Sequence, residues 1–257
     1  MLLFDAGNSR CKWAWTERGV WLRQGVLGNT DAAAWLALKN SFAQLEAPQK
    51  ILVSNVAGEE MARKVRELCA VWGCTVQIIV AQPAQCEVLN SYERPAQLGS
   101  DRWAALIAAW HHVHQACLVV NCGTATTVDA LSATGEFIGG LILPGVGLMQ
   151  RSLLDNTAQL EAENNGLVQG ELHDFPRNTK DAILSGALRA TARAIQHQYN
   201  LMASQQGVRC IISGGAAGML LPHLGLAAEQ VDNLVLRGLQ IIGQDCAAIT
   251  TKETVAR

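Results

Sequence analysis

The spacing of apolar positions changes several times along the 257 residues, and each change marks an element. Leu2 to Asp5 is a short apolar run. Cys11 to Thr16 alternates, with Trp13 and Trp15 on one face, and Val20 to Val26 follows. The period of two predicts three strands, and the connections AGNSR and ERG are as tight and Gly-rich or polar as a meander requires. After the start signal Thr30/Asp31 the spacing becomes helical at Trp35, Leu38, Phe42 and Leu45. Next come a predicted strand from Ile51 to Val56, a helix striped by Met61, Val65, Leu68 and Trp72 and closed by Gly73, and a strand from Thr75 to Val80. A loop with Pro83 and Pro95 leads to a helix that starts at Ser100 or Asp101 and turns Trp103, Leu106, Ile107 and Trp110 inward. The order is βββαβαβα.

The second half repeats it. Strands are predicted from Leu118 to Asn121, Ala125 to Leu131 and Phe137 to Leu143, the last two joined by Ala133-Thr134-Gly135-Glu136. Helical segments follow around residues 148–160 and 180–204, then a strand from Arg209 to Ser213 and a short helix from Ala216 to Leu221. A short strand ends at Val231, and Val235, Leu239, Ile242, Cys246 and Ile249 stripe a last helix. The expected architecture is therefore α/β, two duplicated domains at 1–115 and 116–257, joined by a continuous element near 114–117. Such a duplication sets two similar hairpins across a cleft, and clefts between domains are where small ligands bind.

Composition narrows the function classes. Twenty-two acidic and 20 basic residues give a net charge of −2, without the cationic excess a nucleic-acid binder needs. With 49% hydrophobic and 16% charged residues the chain is too apolar for disorder. No apolar run approaches the ~18 residues of a membrane span. The opening MLLFDAGNSRCK has no cationic lead-in, so a cytoplasmic protein without a signal peptide is expected. The eight cysteines form no CxxC pair, and Cys117 and Cys210 lie in strand-like runs where a thiol acts as a small hydrophobe. His111, His112 and His114 lack a further ligand and fit a helix end better than a metal site.

The duplication extends to the turns. Asp5-Ala6-Gly7-Asn8-Ser9 in the first half matches Asn121-Cys122-Gly123-Thr124-Ala125 in the second. Glycine lets the backbone approach a bulky anion, successive N–H groups form an anion-binding concavity, and Ser9 and Thr124 add hydroxyls. Asp5 can hold a hard divalent cation that bridges phosphates, and Lys12 can reach a phosphate. The plain alternatives are hairpin turns and a solvated strand lysine. Gly99-Ser100-Asp101-Arg102 opens a helix, where Asp101 is either a cap or, beside Arg102 and with Tyr92 in the preceding loop, a base next to a carboxylate clamp. Gly139-Gly140 interrupts a strand, and Ser213-Gly214-Gly215-Ala216-Ala217-Gly218 sits at a strand-to-helix junction where a nucleoside can lie on bare backbone. The other ATP-binding signatures, GxxxxGK[ST], HRD/DFG and a complete GxGxxG, are absent from the sequence.

Taken together, DAGNSRCKW, YERPAQLGSDRW, GTATTVDAL, GGLILPG, RNTKDAILSG and SGGAAG resemble the motifs of type III pantothenate kinases, over nearly the whole chain. These enzymes start coenzyme A synthesis in many bacteria. They belong with actin, sugar kinases and heat-shock chaperones, built from two ribonuclease H-like halves around an interdomain ATP cleft. The resemblance implies phosphorylation of pantothenate at its 4′-hydroxyl by ATP, with Asp101 as general base. It implies ATP and magnesium at Asp5, Ala6, Gly7, Asn8, Ser9, Arg10, Cys11 and Lys12, with Gly123 and Thr124 on phosphate and Gly214 and Gly215 at the adenosine. Tyr92, Gly99, Ser100, Arg102 and Thr179 would bind pantothenate, Thr179 from the other subunit of a homodimer. The helix face Ile183, Ala187, Ala190 and Ala194 is a candidate for that interface, or for packing within the chain. Where the family usually has Asp at a monovalent-cation site, this chain has Asn121, which implies weak or absent need for potassium or ammonium. Two other readings share the motifs: another small-molecule kinase or polyphosphate hydrolase of the same superfamily, and a regulatory accessory factor on this scaffold, non-catalytic or bifunctional.

Overall fold

The structure, a computed structural model, describes residues 1–155, 170–202 and 207–254. The chain divides into two compact units, Met1–His112 with Asn233–Arg257, and Val113–Asp232.

In the first unit β1 (Leu2–Ala6) is the central strand. It pairs antiparallel with β2 (Arg10–Glu17) and parallel with β4 (Ile51–Asn55), in the order β3-β2-β1-β4-β5, with β3 at Val20–Gly28 and β5 at Val76–Ile78. Leu2, Leu3 and Phe4 are wholly buried, because layers cover both faces of the strand; this is why its apolar run is continuous and not alternating. Leu2 and Phe4 pack with residues of α1 (Ala32–Phe42) and α2 (Glu59–Cys69). Phe42 lies at the centre of an aromatic cluster there, with ring centroids 5.3 Å from both Trp13 and Trp72. The unit also contains α3 (Ser100–Val113), on which Trp103, Leu106, Ile107 and Trp110 are buried as the helical stripe predicts.

Three local expectations shift. Leu45 lies beyond the end of α1 but still packs on the core. Trp72 lies in a 3-10 turn closed by Gly73 in the left-handed region, φ 63°. The proline loop contains a small hairpin, β6 (Ala84–Gln85) and β7 (Val88–Asn90), turned by Cys86 and Glu87 at φ 49° and 64°. Such a turn normally announces itself by Gly or Asn, and here neither is present.

In the second unit β8 (Cys117–Cys122), β9 (Ala125–Leu131) and β10 (Glu136–Pro144) form the meander. Parallel strands β11 (Arg209–Ser213) and β12 (Glu229–Gln230) extend it on the other side of β8. Read from β10, the order β10-β9-β8-β11-β12 repeats β3-β2-β1-β4-β5, so the duplication is one of sheet topology as well as of motif. Helices α4 (Val146–Asp155), α5 (Thr179–Leu201) and α6 (Ala217–Leu220) complete the unit; the expected continuations to residues 160 and 204 fall outside the described residues. The buried stripe of α5 is Ile183, Ala187, Leu188, Thr191, Ala192 and Ile195. Ile183 and Ala187 are buried and line a groove between α4 and α5, while Ala190 is exposed and Ala194 half-buried.

The division differs from the expected 1–115 and 116–257 in two respects: the second unit begins at Val113, and the end of the chain does not belong to it. The last helix, α7 (Leu234–Thr254), belongs to the first unit. Its buried residues Leu234, Val235, Leu236, Leu239 and Ile242 need an apolar partner, and the helix packs on β1 and β4. Glycines permit the close approach. A Cβ at Gly238 would lie 1.8 Å from the Ala104 carbonyl oxygen, and one at Gly243 would meet Leu52 and Met1. Gly238→Ala is therefore expected to force α7 and α3 apart and lower stability by about 2 kcal/mol or more, read by chemical denaturation.

Candidate active site

Strand register lines up the first polar row. Asp5 on β1 is opposite Lys12 on β2 and Ser54 on β4, so the three side chains share one face at one level. Ser54 is fully buried, and its hydroxyl lies 2.9 Å from that of Ser100, the first residue of α3. This contact ties the start of the helix to the strand beside Asp5. Asp101 follows immediately, and its Oδ1 accepts a hydrogen bond from the Arg102 backbone N–H at 2.8 Å. A Cβ at Gly99 would lie 2.6 Å from the same oxygen, so Gly99 is the residue that leaves room for the carboxylate.

Both carboxylates are perturbed. Burial raises Asp5 to about 7, the nearby Lys12 opposes the rise, and the charge of Asp101 adds to it. Burial also raises Asp101, against the Arg102 backbone hydrogen bond and the Arg102 charge. The Asp5 carboxylate makes no hydrogen bond or ion pair among the described residues. A half-buried acid felt by a second acid and left without a close partner is a donor set suited to a hard divalent cation.

Beside Asp101, the Arg102 side chain is 4% exposed and donates from Nη1 to the Tyr92 hydroxyl at 2.8 Å. Its guanidinium also stacks 5.5 Å from the Tyr92 ring centre. The loop is held by Asn90, which donates to the carbonyls of Gln82 and Pro95 and accepts from the Tyr92 N–H.

Each glycine turn is closed by the N–H of its glycine, the first being one residue longer than the second. Gly7 donates its N–H to the Arg10 carbonyl at 3.1 Å, and Gly123 donates to Ala125 at 2.9 Å. Asn8 and Ser9 lie in the first turn and are exposed, while Lys12 is half-buried. Ala6 and Cys11 are cross-strand partners sealed in the core, so only their backbone is available to a ligand. In the second unit Asn121 sits opposite Thr127 and Ser213, the same register that Asp5 has with Lys12 and Ser54. Asn121 is thus the positional counterpart of Asp5, without the charge.

Other expected residues have roles visible in the fold. The Ser100 hydroxyl is engaged by Ser54. Gly214 has φ 99°, and a Cβ there would lie 2.4 Å from the Cys122 carbonyl oxygen, so the fold itself demands glycine at that position. Gly215 is exposed between β11 and α6. Thr179 is the exposed first residue of α5, after the cap Asn178. Ser54, Asn90 and the buried Asp129 escape a reading of the sequence. The Gly139-Gly140 pair was the available signal for Asp129, because a Cβ at Gly140 would lie 2.1 Å from its Oδ1. Burial pushes the Cys117, Cys122 and Cys210 thiols up to about 12, as expected of inert core residues. Among the described residues no group of histidines, cysteines and acids forms a metal cluster, and no helix is long and apolar enough to cross a membrane.

The duplicated topology places the chain in a class with known members. It shares the fold of the actin-like ATPases and sugar kinases. The activator of 2-hydroxyisocaproyl-CoA dehydratase from Clostridium difficile superposes with a TM-score of 0.56 at 10% identity, over 98% of this chain and 97% of that one. MreB5 of Spiroplasma citri does so with 0.51 at 12%, over 100% and 98%. Sequence narrows the class to a family. The family model for type III pantothenate kinase matches residues 1–201, and the type III pantothenate kinase of Nitrosospira multiformis is 45% identical over 258 residues, covering 100% of this chain and 95% of that protein. The chain belongs to the type III pantothenate kinase family.

The raised Asp5 has a consequence for stability. Its folded-state value lies above the ordinary 3.8, so the folded protein holds this proton more tightly than the unfolded chain. The contribution of Asp5 is most favourable below pH ~4, declines as pH rises to about 7 and is level beyond. Without nucleotide or metal, denaturation at pH 5 and pH 8 is expected to show wild type losing about 2–3 kcal/mol more between the two pH values than Asp5→Asn.

Proposed function

We propose that this protein transfers the terminal phosphoryl group of ATP to the 4′-hydroxyl of pantothenate, the first step of coenzyme A synthesis. The observation that carries this is Asp101, fixed at the start of α3 over Gly99, next to the Arg102–Tyr92 pair and within the field of Asp5. Arg102, buried beside Asp101, brings positive charge for the carboxylate of pantothenate, and Tyr92 holds it in orientation. Asp101 takes the hydroxyl proton as the oxygen attacks the phosphorus. The bond from that phosphorus to the bridging oxygen breaks, and ADP leaves with its electron pair. Burial raises the affinity of Asp101 for this proton, and the Arg102 charge opposes that rise.

Asp5 is the residue suited to hold magnesium; bound there with ATP, the ion would neutralise phosphate charge and orient the phosphates. The turn Gly7–Arg10 offers backbone N–H groups to phosphate, and Lys12 brings a cation to the same row. Gly123 and Thr124 form a second turn of the same kind. The 4′-hydroxyl acceptor, magnesium and a cytoplasmic location are parts of this reading that rest on family membership and on the chemistry of these residues. So does a homodimer in which Thr179 contacts pantothenate in the partner. An apolar groove of about 590 Å³ supports the dimer; it is lined by Pro144, Leu148, Leu153, Ala182 and Gly186, with Leu148 and Leu153 38% and 49% exposed.

Asp101→Asn is expected to lower kcat about a hundredfold or more with little change in the KM for pantothenate or in the melting temperature. The assay follows ADP release with and without pantothenate. A folded variant with near wild-type kcat removes Asp101 from the role of base.

Asn121 leads to a second expectation. An amide oxygen can coordinate a monovalent cation but lacks the Coulomb attraction of a carboxylate. Activity is expected to vary little in a potassium titration, and Asn121→Asp to introduce a saturable dependence.

A further inference from the structure

We propose that Asn29 is a positioning residue that presets the first phosphate turn for its anion. It lies just after β3, outside every motif of the sequence analysis. Its side-chain amide donates from Nδ2 to two successive turn carbonyls, Gly7 at 2.8 Å and Asn8 at 2.9 Å. Its backbone N–H donates to a third, Ser9, at 3.2 Å. One residue therefore draws three consecutive carbonyl oxygens to the same side. In a trans peptide the N–H points opposite to the C=O of the same plane. Holding the carbonyls of Gly7, Asn8 and Ser9 towards Asn29 turns the N–H groups of Asn8, Ser9 and Arg10 the other way. Successive N–H groups turned to one side form an anion cradle.

Asn29 is itself braced. Lys64, on α2, donates to the Asn29 carbonyl at 2.6 Å and lies 4.5 Å from the centre of the Trp35 ring. The Trp35 indole donates to the Gly28 carbonyl at 3.0 Å, fixing the residue before Asn29. The Lys64 charge is also felt at Cys11, which follows the turn in the chain. The arrangement leaves Asn29 Oδ1 buried without a donor among the described residues. Both hydrogens of the amide are spent on the turn.

The inference rests on the reading of Gly7–Arg10 as a phosphate turn, and the test separates the two. Asn29→Ala, Asn29→Asp and wild type are compared for kcat, for the KM of ATP and of pantothenate separately, and for melting temperature. Asn29→Ala is expected to raise the KM for ATP about tenfold, with the KM for pantothenate within about twofold of wild type. Asn29→Asp is expected to be worse, because its oxygens repel both carbonyls and phosphate. Equal rises in both KM values, or an unchanged KM for ATP in a folded variant, overturn the proposal. Should Asn29→Ala not fold, Lys64→Met keeps the stem against Trp35 and removes the brace. It is expected to raise the KM for ATP about threefold, and no rise overturns the proposal. If wild type itself consumes no ATP with pantothenate, the phosphate reading fails and takes this inference with it; if wild type is active and the variants match it, only the inference fails.

Discussion

The register that sets Asp5 between Lys12 and Ser54 is the constraint from which the site follows. A carboxylate next to the end of a strand whose preceding side chains are sealed from water is costly, and its proton affinity rises to near neutrality as a result. That cost is held in place because slipping β1 by one residue would take Phe4 away from Phe42 to the other covered face of the sheet and bring Asp5 into the aromatic core in its stead. The core thus fixes the acid, and the acid stays short of a partner until a cation or a proton arrives. Ser54 carries the same positional information to α3 through Ser100, so that Asp101 is set by the same sheet.

Duplication explains why the second unit has a similar turn and a different chemistry. Its central strand keeps the register, the glycine turn and the serine on the parallel neighbour. It replaces the acid by Asn121 and the opposing lysine by Thr127. Both changes remove charge from the row together, leaving a neutral hydrogen-bonding site. One copy thereby carries an acid and a lysine in its row, the other an amide and a hydroxyl.

Much of this was legible in the sequence because the strands of the two meanders obey local rules. Period-two runs and glycine turns mark the meander strands in both halves, and Ala125 to Leu131 and Arg209 to Ser213 agree to the residue. Asp5, Gly99, Asp101 and Arg102 stood out because each occupies a turn or helix start where its residue type is informative. What escaped depends on contacts distant in the chain. Asn29, Ser54 and Asp129 are ordinary polar residues in ordinary elements, and only the turn, helix or glycine brought against them distinguishes them. The Cys86-Glu87 hairpin was hidden because its left-handed residues are of types that rarely adopt that conformation.

The return of α7 to the first unit has a bearing on the order of assembly. Residues 113–232 form one uninterrupted stretch, so that unit can mature as soon as its own segment has left the ribosome. The first sheet must wait, with the surface that α7 covers on β1 and β4 bare, until the segment beginning at Asn233 emerges. The earlier-synthesised half is thus the later one to close, and a nascent chain stalled before that segment would display the apolar face of its central strands to holdase chaperones.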